Sequence, residues 1–189
     1  MSASVQSDSA ESTRRGPSLD LRATLVDALA VALWFAVAGL AGALVWAKVV
    51  TTPLVQKQGD AATLSPEQLV VQVGIDGWFF VIAFVGGLVS GVVLLAWRRR
   101  DPLVMVVLVV LGGALASWLM VHVGLSLGPG DEIAALRKLP DGAEVSMQLK
   151  LHATGMTWIW SMAAALGALI QVWVLAKPDA GSAEVDTLP

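Results

Sequence analysis

The stretch WFFVIAFVGGLVSGVVLLAWRRRDPLVMVVLVVLGGALASWLMVH, from Trp78 to His122, decides the fold. Two long apolar runs meet at Arg98, Arg99, Arg100, Asp101 and Pro102. Residues 77–97 carry no charge. At ~1.5 Å of rise per residue they are long enough to cross a hydrocarbon core of ~30 Å. Residues 102–122 make the return crossing. A turn this short, holding Arg98, Arg99 and Arg100, makes the pair a transmembrane hairpin whose tip is expected in the cytoplasm.

The rest of the chain agrees. Of its 189 residues 56% are hydrophobic and 14% charged, whereas soluble domains run nearer a quarter charged. The net charge of −3 is spread over tails and loops, which leaves no basic face for a nucleic acid. Cysteine is absent, excluding disulfides, thiolate metal sites, haem attachment through CxxCH and thiol catalysis within the chain. There is no phosphate loop, Ser/His/Asp spacing or HExxH, so motifs argue against an enzyme and no cofactor is expected.

Two further apolar runs, 28–46 and 155–176, complete a set of four spans within a transmembrane domain covering 21–177. Residues 1–20 and 178–189 are polar or small, without hydrophobic period, and are expected to be disordered cytoplasmic tails. Arg14-Arg15 lacks the apolar residue an export signal wants next, so the first span is expected to remain as an anchor. Arg14, Arg15, Arg22, the arginine turn and Lys177 then lie inside, with both termini cytoplasmic in a plasma membrane. Trp46, Trp78, Trp158 and Trp160 fall at outer span ends and Trp97 and Trp173 at inner ones, as an aromatic belt requires.

Between the spans, residues 49–55, 69–73 and 145–151 read as short strands, with Pro53 confining the first to an edge. Residues 131–139 read as a brief surface helix closed by Pro140. The fold expected is an all-α membrane protein, a four-transmembrane-helix bundle with a small extracytoplasmic cap containing short β-strands. Leu69 to Phe80 and Met147 to Trp160 both read as strand, Gly, then aromatic-led span. Residues 23–97 and 102–176 are therefore candidate copies of one span–strand–span unit in parallel orientation.

Small residues recur at four-residue spacing. Ala38 and Gly42 mark the first span, and Ala83, Gly87 and Gly91 the second. Gly112 with Ala116 and Gly113 with Ser117 mark the third, and Ala163 and Gly167 the fourth. Such faces let helix backbones approach closely, within the bundle or against a partner helix. Asp27 is the one acid beside a span, suited either to the headgroup layer or to a relay. His122, His152 and Asp76, with Asp131 and Glu132, fall near the outer face, where imidazole and carboxylate could hold zinc or copper. None has a recognised ligand spacing, so no metal is assigned. Gln171 is a mild polar group in the fourth span that suits interhelical bonding.

Several of these pieces together carry a resemblance. They are Asp76-Gly77 leading an aromatic span, the Trp97-Arg98-Arg99-Arg100 turn, Gly112-Gly113, Gly128-Pro129 and LKLHATG before the last span. Over residues 46–176 the chain resembles an uncharacterised actinobacterial four-span integral membrane family, a domain of unknown function sometimes labelled permease-like. The resemblance implies topology and source, and no activity. The expected role is a non-enzymatic subunit or scaffold of a cell-envelope complex. Its partners are the lipid bilayer and a membrane protein or second copy met through small-residue faces. The alternative is a small transporter or permease component.

Overall fold

A computed structural model of the chain describes residues 21–58, 61–63, 65–97, 102–130 and 132–175. In chain order these form α1 (Leu21–Val49), β1 (Leu54–Gln58), β2 (Ala61–Thr63), α2 (Pro66–Trp97) and α3 (Pro102–Leu127). Then follow α4 (Glu132–Leu136), β3 (Glu144–Ser146), a 3-10 turn (Thr154–Trp158) and α5 (Ile159–Leu175). The helices α1, α2 and α3, and the 3-10 turn running into α5, are each long and apolar enough to cross a membrane. The protein is thus an all-α four-helix membrane bundle carrying a small sheet. The arginine turn and both terminal tails lie outside the described residues.

The sheet has strand order β2-β1-β3, antiparallel throughout. Val55 faces Val145 across it, and Lys57 faces Ala62. Its return turn carries Gly142 at φ 86°, a left-handed value that a glycine adopts without strain. Leu149 is buried where the cap meets the bundle, and a Cβ on Gly128 would lie 2.6 Å from its own Cβ. A glycine is needed there for the close approach.

Three sequence expectations need correction. Residues 69–73 are not a strand: Ser65-Pro66-Glu67 is a helix start, with proline at the first helical position, and α2 runs unbroken from there. The strand element of the proposed repeat is lost with it. The strand expected over 145–151 pairs only at Glu144–Ser146. It stops because β1 begins after Pro53, which has no N–H, although Met147 still donates to the Pro53 carbonyl at 2.8 Å. The strand expected over 49–55 is displaced to Leu54–Gln58 because α1 continues to Val49.

The aromatic belt is also redrawn. Trp46 and Trp160 are fully buried, whereas Trp78, Trp118 and Trp158 are exposed near one end and Trp97 and Trp173 near the other. Trp46 donates to the Ile75 carbonyl at 3.1 Å and packs edge-on against Phe79 at 5.4 Å. Trp160 lays its ring over Gly42 and Gly86.

The closest helix approaches join parallel partners, α1 with α3 and α2 with α5. A Cβ on Gly39 would stand 2.7 Å from the Ala116 carbonyl oxygen, and one on Gly87 would stand 3.1 Å from the Ala164 nitrogen. Gly91 meets Ala168, and Gly112 meets the Phe35 ring. In every one of these pairs the partners lie 77 residues apart. Gly87 and Gly91 also meet Trp160 and Ala164, one turn nearer the start of α5. Gly167 meets the Leu88 carbonyl, and Gly113 approaches the Ser161 backbone.

Replacing Gly39 by alanine should force α1 from α3 and cost about 1–3 kcal/mol, the usual range for overpacking. Gly74→Ala provides the contrast, because nothing lies within 4 Å of its Cβ position. It should raise helix stability by up to ~1 kcal/mol. Thermal unfolding in one detergent checks both; equal shifts would contradict the packing.

Candidate functional site

The candidate site is the junction between the cap and the end of α2 remote from Trp97. At ~1.5 Å per residue the 32 residues of α2 measure about 48 Å, some 18 Å more than a hydrocarbon core of ~30 Å. With residues 77–97 taken as the crossing, the excess lies at the start of the helix, beyond the exposed Trp78, and forms the post on which the cap is hung.

Three polar side chains at four-residue spacing line one face of that post. Gln68 Oε1 accepts from the Leu54 N–H at 3.0 Å, holding the start of β1. Gln72 Nε2 lies 2.6 Å from His152 Nε2. Asp76 Oδ1 accepts from the His152 N–H at 3.1 Å and Oδ2 from the Ala153 N–H at 3.0 Å. His152 Nδ1 lies 3.9 Å from Asp76 Oδ1, with the two side chains 32% and 14% exposed. With the Gln72 amide donating to Nε2, the imidazole carries its proton on Nδ1, on the carboxylate side.

Chemically this is a latch. Each Asp76 oxygen already accepts a backbone N–H, so the carboxylate caps the segment leading into the 3-10 turn and α5. His152 fills the gap between amide and carboxylate. Sequence reasoning singled out Asp76 and His152, and the structure brings those two together. It does not bring His122 to them. That side chain bonds the Trp118 carbonyl through Nδ1 at 2.8 Å and stacks on the Trp118 ring at 4.4 Å, within its own helix. Among the described residues no three His, Cys, Asp or Glu converge to hold a metal ion. Asp131 and the Glu132 side chain lie outside them. Gln68 and Gln72 were missed as partners, although Gln68, Gln72 and Asp76 at helical spacing were the signal that could have found them.

The other polar candidates lie elsewhere. Asp27 is buried on the core face of α1, one turn before Val31. Gln171 is half-buried on α5. Ser90 accepts from the Trp34 indole N–H at 3.0 Å and donates to the Gly86 carbonyl at 2.6 Å. Ser161 donates to the Val110 carbonyl at 3.0 Å.

The opposite face of the post is apolar and open. Leu69, Val70 and Val73 are 52%, 74% and 72% exposed. Gly74 and Gly77 have empty space over them, and Trp78 continues the surface down to the lipid-facing side. The inward side of the extension carries Gln68, Gln72 and Asp76 beside Val71 and the buried Ile75, and a second apolar face is turned out. Comparison with protein-family models, curated proteins and solved structures gives no match.

Asp76→Ala should leave the two N–H donors unpaired and cost about 1–3 kcal/mol. Hydrogen exchange at His152 and Ala153 should speed up while the centres of α1 and α3 stay protected; unchanged exchange would contradict the latch. At the start of the post, the Ser65 hydroxyl bonded to Glu67, helped by the Glu67 backbone N–H, lowers the Glu67 carboxyl below its usual value. A lowered carboxylate pKa stabilises above the unfolded value, and the effect is lost as pH falls through the folded one. The first turn of α2 should therefore fray on acidification, and a Ser65→Ala variant should flatten that dependence in amide exchange.

Proposed function

We propose that the protein is a non-enzymatic membrane subunit that presents the protruding apolar face of α2 to another cell-envelope protein. The observation that carries this reading is the outward apolar face of the post. Val70 and Val73, each exposed by more than seven-tenths, stand beyond the membrane core, where apolar side chains gain free energy by being covered. The post is held firm on its other side by Gln68, Gln72 and Asp76, so the apolar face is a fixed surface.

The bundle supports an anchoring role. The glycines at four-residue spacing are spent on contacts within the bundle, Gly42 against Trp160, Gly87 and Gly91 against α5, and Gly167 against α2. The partner surface therefore shifts from those faces to the cap. A transport role draws less support, because the Ser90 and Ser161 hydroxyls are tied to backbone carbonyls. In this reading the membrane is the plasma membrane, with the arginine turn in the cytoplasm and the cap outside.

Co-purification from native membranes in mild detergent tests the proposal. A defined partner should accompany the wild-type chain and be lost from a Val70→Asp, Val73→Asp double variant that still inserts and melts normally. A partner retained by that variant, or a wild-type chain that purifies alone, would overturn it.

A further inference from the structure

Where α3 meets α5, Gly113 lies against the Ser161 backbone. The seam between α1 and α2 is less closely packed and is bridged by the Trp34 indole N–H donating to Ser90. Beside it, on the lipid-facing side of α1, lies an open groove of about 450 Å³ lined by Ala30, Leu33, Trp34, Val37, Ala38 and Ala41, with Trp97 of α2 closing one end.

We propose that this groove holds one acyl chain of an anionic glycerophospholipid, with Arg22 taking its phosphate. The lining residues are apolar, apart from the Trp34 N–H, which is spent on Ser90. From Ala30 to Ala41 the groove follows about 16 Å of helix axis, roughly half a hydrocarbon core of ~30 Å and thus one leaflet. An apolar groove of that length follows one extended hydrocarbon chain of the leaflet.

The charge at its mouth selects the headgroup. Arg22, Val26, Ala30, Leu33, Val37 and Ala41 follow one another at helical spacing along a single face of α1. Arg22 is exposed and sits about 12 Å before Ala30, at the Trp97 end of the groove. Asp27 is the only described acid at that end, and it is buried on the core face of α1. A cation at the lip of an apolar groove between helices is how a membrane protein takes an anionic lipid from its leaflet. The tails are poor occupants: the N-terminal one has only Met1, Val5 and Leu19 as large apolar residues and the C-terminal one only Val185 and Leu188.

Native mass spectrometry tests this on the full chain, after reconstitution with equal amounts of phosphatidylglycerol and phosphatidylcholine of the same chain length. One lipid should stay bound per chain, with phosphatidylglycerol preferred about fivefold, as one surface cation contributes. Arg22→Gln should lower the preference severalfold while keeping a bound lipid, and an unchanged preference would overturn the assignment of the phosphate to Arg22. Ala41→Leu, at an exposed position, should abolish the bound lipid while leaving thermal unfolding unchanged. Wild-type protein that retains no lipid, or retains both headgroups equally, overturns the proposal. So does a dimer that Ala41→Leu dissociates, which would make the groove a contact between copies.

Discussion

In lipid, helices gain nothing by hiding apolar surface from one another, so a membrane bundle must hold together by contact alone. Here that constraint is met by bringing parallel helices nearly backbone to backbone, Gly39 on Ala116 and Gly87 and Gly91 on α5. Dispersion falls off steeply with separation, and each small residue removed from such a seam widens it along its whole length. The other features follow from those two seams. Together with the approach of Gly113 to the Ser161 backbone, which joins the two pairs, they fix the relative height of all four helices and so decide which side chains meet the cap.

Close seams also release large rings into the interior. With α1 set tightly on α3 and α2 on α5, Trp46 and Trp160 fill the remaining central space. Gly42, Gly86 and Gly124 receive their faces. Trp46 gains a partner for its indole N–H at Ile75, as a buried polar edge requires. Gly113 lets α3 close on α5 at Ser161, while α1 and α2 stay farther apart and the apolar groove on α1 adjoins them.

The cap depends on the length of α2. Because the helix outruns the membrane, its first turns must supply hydrogen-bond partners for an irregular segment lying beside them, and Gln68, Gln72 and Asp76 do so. That arrangement turns Leu69, Val70 and Val73 outward. With Ile75 already buried on the inner side, the exposed Leu69, Val70 and Val73 form a second apolar face, which a post in water with no partner would not carry.

Much of the architecture was legible from the chain alone. The spans and the hairpin over 78–122 follow from run length, charge and backbone chemistry, which are local properties. The convergence of Asp76 with His152 was legible only as a possibility, since it joins residues 76 apart. The error over residues 69–73 arose from reading a valine-rich run by β-propensity, when a Ser-Pro-Glu start and polar residues at helical spacing pointed to a helix. Which tryptophans face lipid, which face of α2 meets the cap, and where the bundle fails to close were decided by tertiary structure. Each depends on the register between distant helices, and register is set by how nearly glycine-bearing faces can approach, a quantity no single segment contains.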